Sequence, residues 1–125
     1  MKQVILSVLV CAITVTAFAQ TKAVQTAKIK TPTVVCEKCK DRIETYLKRY
    51  DGILSSNVNY RSKETTVKYL SDRTNIEEIK TAIANAGYDA DDVTANPDSY
   101  NRLPVCCKKP EDGGIKPKTP PKPAQ

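Results

Sequence analysis

The sequence predicts a small α+β domain in which two helices cover one face of an antiparallel sheet. Between Ala27 and Val93 the apolar residues alternate between a period of two, typical of strands, and a period near 3.6, typical of helices. The resulting order is strand, helix, strand, strand, helix, strand. This order is that of the ferredoxin-like βαββαβ sandwich, in which a sheet with one apolar face is covered by helices on that face.

The first strand is predicted from Ala27, Ile29 and Thr31, which alternate with lysines. Pro32 has no backbone N–H to donate, so regular pairing should end there. The chain should then enter a loop over residues 33–36.

The first helix is predicted over residues 37–50, because one stripe of side chains recurs at helical spacing. The stripe consists of Cys39, Ile43, Leu47 and Tyr50. Asp51 and Gly52 should end the helix, since glycine readily adopts the left-handed conformation found just past a last turn.

A hairpin should follow, with strands over residues 53–60 and 65–70. Leu54, Ser56, Val58 and Tyr60 are expected on one face of its first strand, and the second strand is β-branched and aromatic in alternation.

The second helix is predicted over residues 75–86, because Asn75 and Glu78 have the spacing of a capping box. Its apolar stripe is Ile76, Ile79, Ile83 and Ala86. Residues 88–93 are predicted to form a final edge strand whose acidic residues oppose edge-to-edge pairing.

The N-terminus is typical of a secretory signal peptide, with Lys2 before an apolar run and Ala-Phe-Ala before Gln20. The competing interpretation is lipidation at Cys11, but Val10 is not the small residue that normally precedes a lipidated cysteine. We therefore expect a periplasmic or secreted protein without stable membrane insertion after cleavage. The predicted parts are a signal peptide (1–19), the folded domain (20–95), a short helical extension with adjacent cysteines (96–107) and a disordered tail rich in proline and lysine (108–125).

Composition excludes several classes of function. The formal net charge is +6, and much of the excess lies in the C-terminal tail, where no aromatic residues are interleaved as nucleic-acid binding would favour. There are no paired catalytic carboxylates, no nucleophile elbow and no phosphate-binding glycine loop, so we expect no enzyme activity and no nucleic-acid partner.

The chemistry of the sequence lies in its cysteines. Cys36 and Cys39 have C-x-x-C spacing at a helix start, where both sulfurs can converge on one point and the first-turn N–H groups favour thiolate over thiol. This spacing serves a soft metal ion or a disulfide equally well. The sequence has no histidine and one methionine, Met1, so a metal site must use sulfur or oxygen.

Cys106 and Cys107 form a second pair with several open roles. They would complete a three- or four-sulfur site, hold a second ion, form disulfides or remain peripheral thiols. The predicted final strand runs away from the first pair, yet residues 94–105 span about 18 Å even as a helix, enough to return to it.

Several segments together resemble the heavy-metal-associated domain family of copper chaperones, metal-transporting ATPases and the periplasmic mercury-binding protein. The resemblance covers residues 27–93 and rests on Val34 to Cys39, Asp51 to Ile53, Val58 to Tyr60, Val67 to Tyr69, and Ile79 to Tyr88. It implies that Cys36 and Cys39 bind one soft ion and pass it on by ligand exchange. It also implies that Tyr88 lies in the loop covering the site, and that Val34 replaces the methionine that usually anchors the metal loop.

The sequence thus predicts an exported, monomeric protein that sequesters or transfers Cu(I) or Hg(II), with Zn(II) and Cd(II) as further candidate ions. Its expected partner is a metal donor, acceptor or transporter. The alternative is a thiol-disulfide redox protein that uses the same cysteine pair, and a third interpretation is an interaction domain using the edge strand and basic tail.

Overall fold

The computed structural model describes residues 23–114. The predicted signal peptide and residues 115–125 of the predicted tail lie outside the described residues. The elements are β1 (Val24–Lys30), α1 (Glu37–Leu47), β2 (Ile53–Asn59), β3 (Glu64–Leu70), α2 (Ile76–Asn85) and α3 (Pro97–Asn101), followed by 3₁₀ turns at Val105–Cys107 and Pro110–Asp112. The second 3₁₀ turn falls within the stretch predicted to be disordered.

The three strands form one antiparallel sheet in the order β1-β3-β2. A shift in register between Ile53 and Ser55 interrupts the pairing of β2 with β3. Leu54 lies at this irregularity and is 54% exposed, whereas Val58 is buried. The expectation that these two residues lie on the same face of the strand is therefore wrong, because the bulge breaks the alternation between them.

Both helices bury the stripes that their sequence spacing predicts. Cys39, Ile43 and Leu47 of α1 are fully buried, and Ile79 and Ile83 of α2 join them in a core shared with β1 and β3. Tyr50 is partly exposed because α1 ends at Leu47. The Asn75 side chain accepts a hydrogen bond from the Glu78 N–H, as the capping-box spacing predicts.

The predicted final strand at residues 88–93 is not formed within the described chain, where an isolated bridge between Ala90 and Val93 closes a tight turn. Asp91 adopts a left-handed conformation with φ of +49°, and its N–H donates to the Lys30 carbonyl at 2.8 Å. The Asp91 carboxylate accepts from the Lys30 N–H at 2.8 Å. These two bonds hold the turn at the end of β1, where the chain reverses instead of continuing along the sheet edge.

The reversed chain docks against the C-terminal end of α2. The Asn96 N–H donates to the Ala84 carbonyl at 2.9 Å, and the Asn96 side chain caps α3. Gly87, at φ of +103°, allows this close approach, since a Cβ there would lie 3.1 Å from the Ser99 backbone and 3.2 Å from the Leu103 side chain. Leu103 is buried in the shared core. No helix between residues 23 and 114 is long and apolar enough to cross a membrane.

Candidate metal centre

The loop between β1 and α1 holds the first cysteine pair at the surface end of the core. Cys36 is the N-cap of α1 and is half-buried, whereas Cys39 lies in the first helical turn and is fully buried. Their Sγ atoms are 3.1 Å apart. The C-x-x-C spacing therefore places both sulfurs at one point, as predicted, with one thiol open to solvent and the other facing the core.

The loop is fixed from both sides. Val34 is fully buried, so its side chain fills the core below the cysteines. Lys63, in the turn between β2 and β3, donates from Nζ to the Val34 carbonyl at 2.6 Å, and its own carbonyl accepts from the Thr31 N–H at 2.8 Å. Lys63 could not be predicted from the sequence, because the bond joins residues 29 positions apart.

The extension brings the second cysteine pair to the first. Cys39 and Cys107 form a disulfide, with their Cα atoms 5.7 Å apart. The Cys36 Sγ lies 3.8 Å from the Cys107 Sγ, and the Cys106 Sγ lies 4.0 Å from the Cys107 Sγ. The sulfurs of Cys36, Cys106 and Cys107 all lie within 4.8 Å of one another. The four sulfurs thus form one cluster, because the chain turns back at Asp91 and stays at this end of the sheet.

Burial dominates the electrostatics of the cluster. It raises the pKa of the Cys36 thiol, although hydrogen bonds from the Cys39 and Lys38 N–H groups act in the opposite direction. At Cys36, the expected preference of the helix start for thiolate is therefore outweighed by burial. Burial also lowers the pKa of Lys63, an effect that the negative charge of a Cys36 thiolate opposes.

Tyr88 lies near the cluster, because the charges of Cys36 and Cys106 act on its hydroxyl. That its loop covers the site stays a prediction. Tyr88 is fully buried, and its hydroxyl has no hydrogen-bond partner among residues 23–114. Burial raises its pKa well above the usual range, and the charges of Cys36 and Cys106 raise it further. The hydroxyl is therefore a buried donor close to two thiols.

The chain is similar to several known proteins in sequence and in fold. Residues 28–89 match the heavy-metal-associated domain. A copper-exporting P-type ATPase of Staphylococcus aureus (strain Newman) is 31% identical over 80 residues, which cover 64% of this chain and 10% of the ATPase. The chain thus spans about a tenth of the length of the curated relatives that it matches.

Solved structures share the fold. A CopZ metallochaperone is 27% identical with a TM-score of 0.51, over 53% of this chain and 98% of that one. Oxidized MerP from Ralstonia metallidurans CH34 is 22% identical with a TM-score of 0.52, over 54% of this chain and 94% of that one. These neighbours confirm the predicted ferredoxin-like class, although the final strand of this chain is reduced to a turn.

Proposed function

Because this chain belongs, through residues 28–89, to the heavy-metal-associated domain family, we propose that it binds a soft metal ion and carries or sequesters it. The observation that carries the proposal is the placement of the Cys36 and Cys39 sulfurs, 3.1 Å apart at the start of α1. Thiolates favour soft ions such as Cu(I) and Hg(II), and also bind Zn(II) and Cd(II). Cu(I) is the first candidate, since the ATPase and CopZ relatives are named for copper export and metal delivery.

The unequal burial of the two thiols supports transfer by ligand exchange. Cys36 is half-buried and can be reached by a partner's thiolate, while Cys39 is fully buried and would keep the ion until the exchange is complete. The proposed partner is a metal transporter or another metal donor or acceptor. The protein itself is proposed to act as a carrier outside the cytoplasm and to catalyse no reaction.

Metal binding by both loop cysteines requires reduction of the bond between Cys39 and Cys107. The test therefore uses the full chain with Cys11→Ser, fully reduced, titrated with Cu(I) against a competing Cu(I) chelator. We expect one tightly held ion per chain and its loss in Cys36→Ser/Cys39→Ser. Val105→Ser is the matched control, because Val105 is exposed and carries no sulfur. Equal affinity in the cysteine variant and the parent would refute the proposal.

Export is tested separately by N-terminal sequencing of protein recovered from the periplasmic or culture fraction. Cleavage at the predicted site gives Gln20 as the first residue. Absence of the protein from both fractions, with only the intact Met1 form in the cytoplasm, would contradict the proposed location.

A second candidate function is thiol-disulfide exchange, which the disulfide itself favours. A Cys36 thiolate attacking the Cys39 sulfur would form a Cys36–Cys39 bond and release Cys107 as thiolate, with no net electron transfer. A reduction potential within the range of catalytic dithiols, about −120 to −270 mV, together with no Cu(I) affinity would favour this function over the first.

A further inference from the structure

We infer that the C-terminal extension is part of the metal site: in the reduced protein Cys106 and Cys107 join Cys36 and Cys39 as ligands of one ion. This inference rests on the proposed function and deepens it. It adds two sulfurs to the two-sulfur site of the loop, so the ion is held more tightly until a partner's thiolate exchanges with the half-buried Cys36.

The separations of the sulfurs fit a single ion. Four sulfurs placed tetrahedrally at about 2.3 Å from a metal lie about 3.8 Å from one another. The Cys107 Sγ is 3.8 Å from that of Cys36 and 4.0 Å from that of Cys106. Cys39 lies 3.1 Å from Cys36 and within bonding reach of Cys107. Once the Cys39–Cys107 bond is reduced, these two sulfurs must move apart, while Cys107 already lies at the required separation from Cys36 and close to it from Cys106.

The extension is docked on the domain and not merely tethered to it. Cys107 is 1% exposed and Leu103 is 4% exposed, both within the shared core. The Cys107 N–H donates to the Pro104 carbonyl at 2.8 Å, which fixes the turn that carries both thiols. Beyond the turn, the Lys109 N–H donates to the Tyr100 hydroxyl at 2.8 Å. A preorganised pair of ligands adds affinity because little conformational freedom is lost when the ion binds.

The surroundings of the cluster suit a negatively charged metal–thiolate group. The Tyr88 hydroxyl is a buried donor without an acceptor among the described residues, and the charges of Cys36 and Cys106 act on it. The Lys63 ammonium is held beside the loop by the Val34 carbonyl, and the charge of Cys36 acts on it. A hydrogen-bond donor and a cation therefore already stand beside the sulfurs.

Opening the site requires a two-electron reduction. A dithiol reductant transfers two electrons and two protons to the Cys39–Cys107 bond and is itself oxidised to a disulfide, which leaves Cys39 and Cys107 as thiols. The ion then binds and displaces the thiol protons to solvent.

The test counts thiolates with Cd(II), which gives a sulfur-to-metal charge-transfer band in the ultraviolet that grows with the number of bound thiolates. The samples are the reduced full chain with Cys11→Ser, its Cys106→Ser/Cys107→Ser and Cys36→Ser/Cys39→Ser variants, and Val105→Ser as the matched control. We expect the absorbance per bound Cd(II) to fall about twofold in Cys106→Ser/Cys107→Ser, because two of four sulfurs are lost. The control should match the parent.

The outcomes separate this inference from the proposed function. Unchanged absorbance in Cys106→Ser/Cys107→Ser, with a loss in Cys36→Ser/Cys39→Ser, would overturn the inference and leave the proposed function standing. Absence of both Cd(II) and Cu(I) binding in the parent would overturn both.

A second measurement needs no cysteine variant beyond the parent. Alkylation of the reduced parent with and without Cd(II), read by mass spectrometry, should show slower modification of all four thiols with the ion. The effect should be clearest at Cys36 and Cys106, because Cys39 and Cys107 are already buried without it. Protection confined to Cys36 and Cys39 would contradict the inference even if the serine variants failed to fold.

Discussion

Replacing Leu103 by alanine should release the extension from the domain. Leu103 is 4% exposed in the shared core and lies against Gly87. Truncating a buried leucine to alanine costs about 2.7 to 5 kcal/mol, from lost burial and the cavity left behind. A cost of about 3 kcal/mol shifts the docking equilibrium of the extension by about 100-fold. The loss in free energy of unfolding cannot exceed the free energy with which the extension docks. A larger cost would leave the extension detached from a domain that is still folded.

The assay follows the alkylation rate of Cys107 and urea unfolding, both in the reduced, metal-free chain with Cys11→Ser. Cys107 is 1% exposed when docked, so its alkylation should accelerate strongly in Leu103→Ala, while the free energy of unfolding falls. Val105→Ala is the matched control: Val105 is 56% exposed, and its change should stay within about 0.5 kcal/mol. If Leu103→Ala had the same Cys107 alkylation rate and the same free energy of unfolding as the wild-type sequence, Leu103 would not hold the extension on the domain.

Three further results are expected. Reducing the disulfide between the loop and the extension, which spans 68 residues, should lower the free energy of unfolding of the metal-free protein by about 4 kcal/mol in urea titrations; an unchanged midpoint would contradict this. Thr31→Val should cost about 1 to 3 kcal/mol, because it leaves the buried Thr65 hydroxyl without its partner at 3.0 Å, and Thr31→Val/Thr65→Val should recover much of the loss; additive losses would count against the pairing. The hydrogen bond from Lys80 lowers the pKa of Asp92. The stabilisation that this bond provides is therefore present above the ordinary carboxyl pKa and is lost as the pH falls through the lowered pKa of Asp92. Asp92→Asn should therefore lower the free energy of unfolding at pH 7 but not in strong acid. An equal loss at both pH values would show that the bond to Lys80 is not its cause.

The helices and the hairpin could be predicted because neighbouring residues in the sequence determine them. The stripe of Cys39, Ile43 and Leu47 fixes which face of α1 is buried, and the capping spacing of Asn75 fixes where α2 begins. In the same way, the C-x-x-C spacing at the start of a helix is enough to bring the sulfurs of Cys36 and Cys39 together, whatever the sheet does.

The final strand could not be predicted in this way, because tertiary contacts decide it. Residues 88–93 alternate well enough for an edge strand, but Asp91 takes a left-handed conformation that aspartate tolerates better than most residues. Lys80 on α2 lies 3.8 Å from the Asp91 carboxylate and 3.1 Å from that of Asp92, which favours a turn there. The bond between the Lys30 N–H and the Asp91 carboxylate joins residues 61 positions apart, so local periodicity does not reveal it.

The position of the second cysteine pair depends on that turn. The length of the chain showed that Cys106 and Cys107 can reach the loop. After a final strand that ran to the far end of the sheet, however, the chain could have returned to the loop by many routes. The reversal at Asp91 and the close approach at Gly87 select one route. Local sequence therefore indicated the dithiol, while the convergence of four sulfurs required the fold.

X-ray absorption of the Cu(I)-loaded, reduced full chain with Cys11→Ser tests the claim that this chain holds a soft ion through sulfur supplied by the loop. We predict a first shell of sulfur neighbours alone, which disappears together with the bound copper in Cys36→Ser/Cys39→Ser. A shell of nitrogen or oxygen neighbours, or a sulfur shell unchanged in that variant, would contradict the claim.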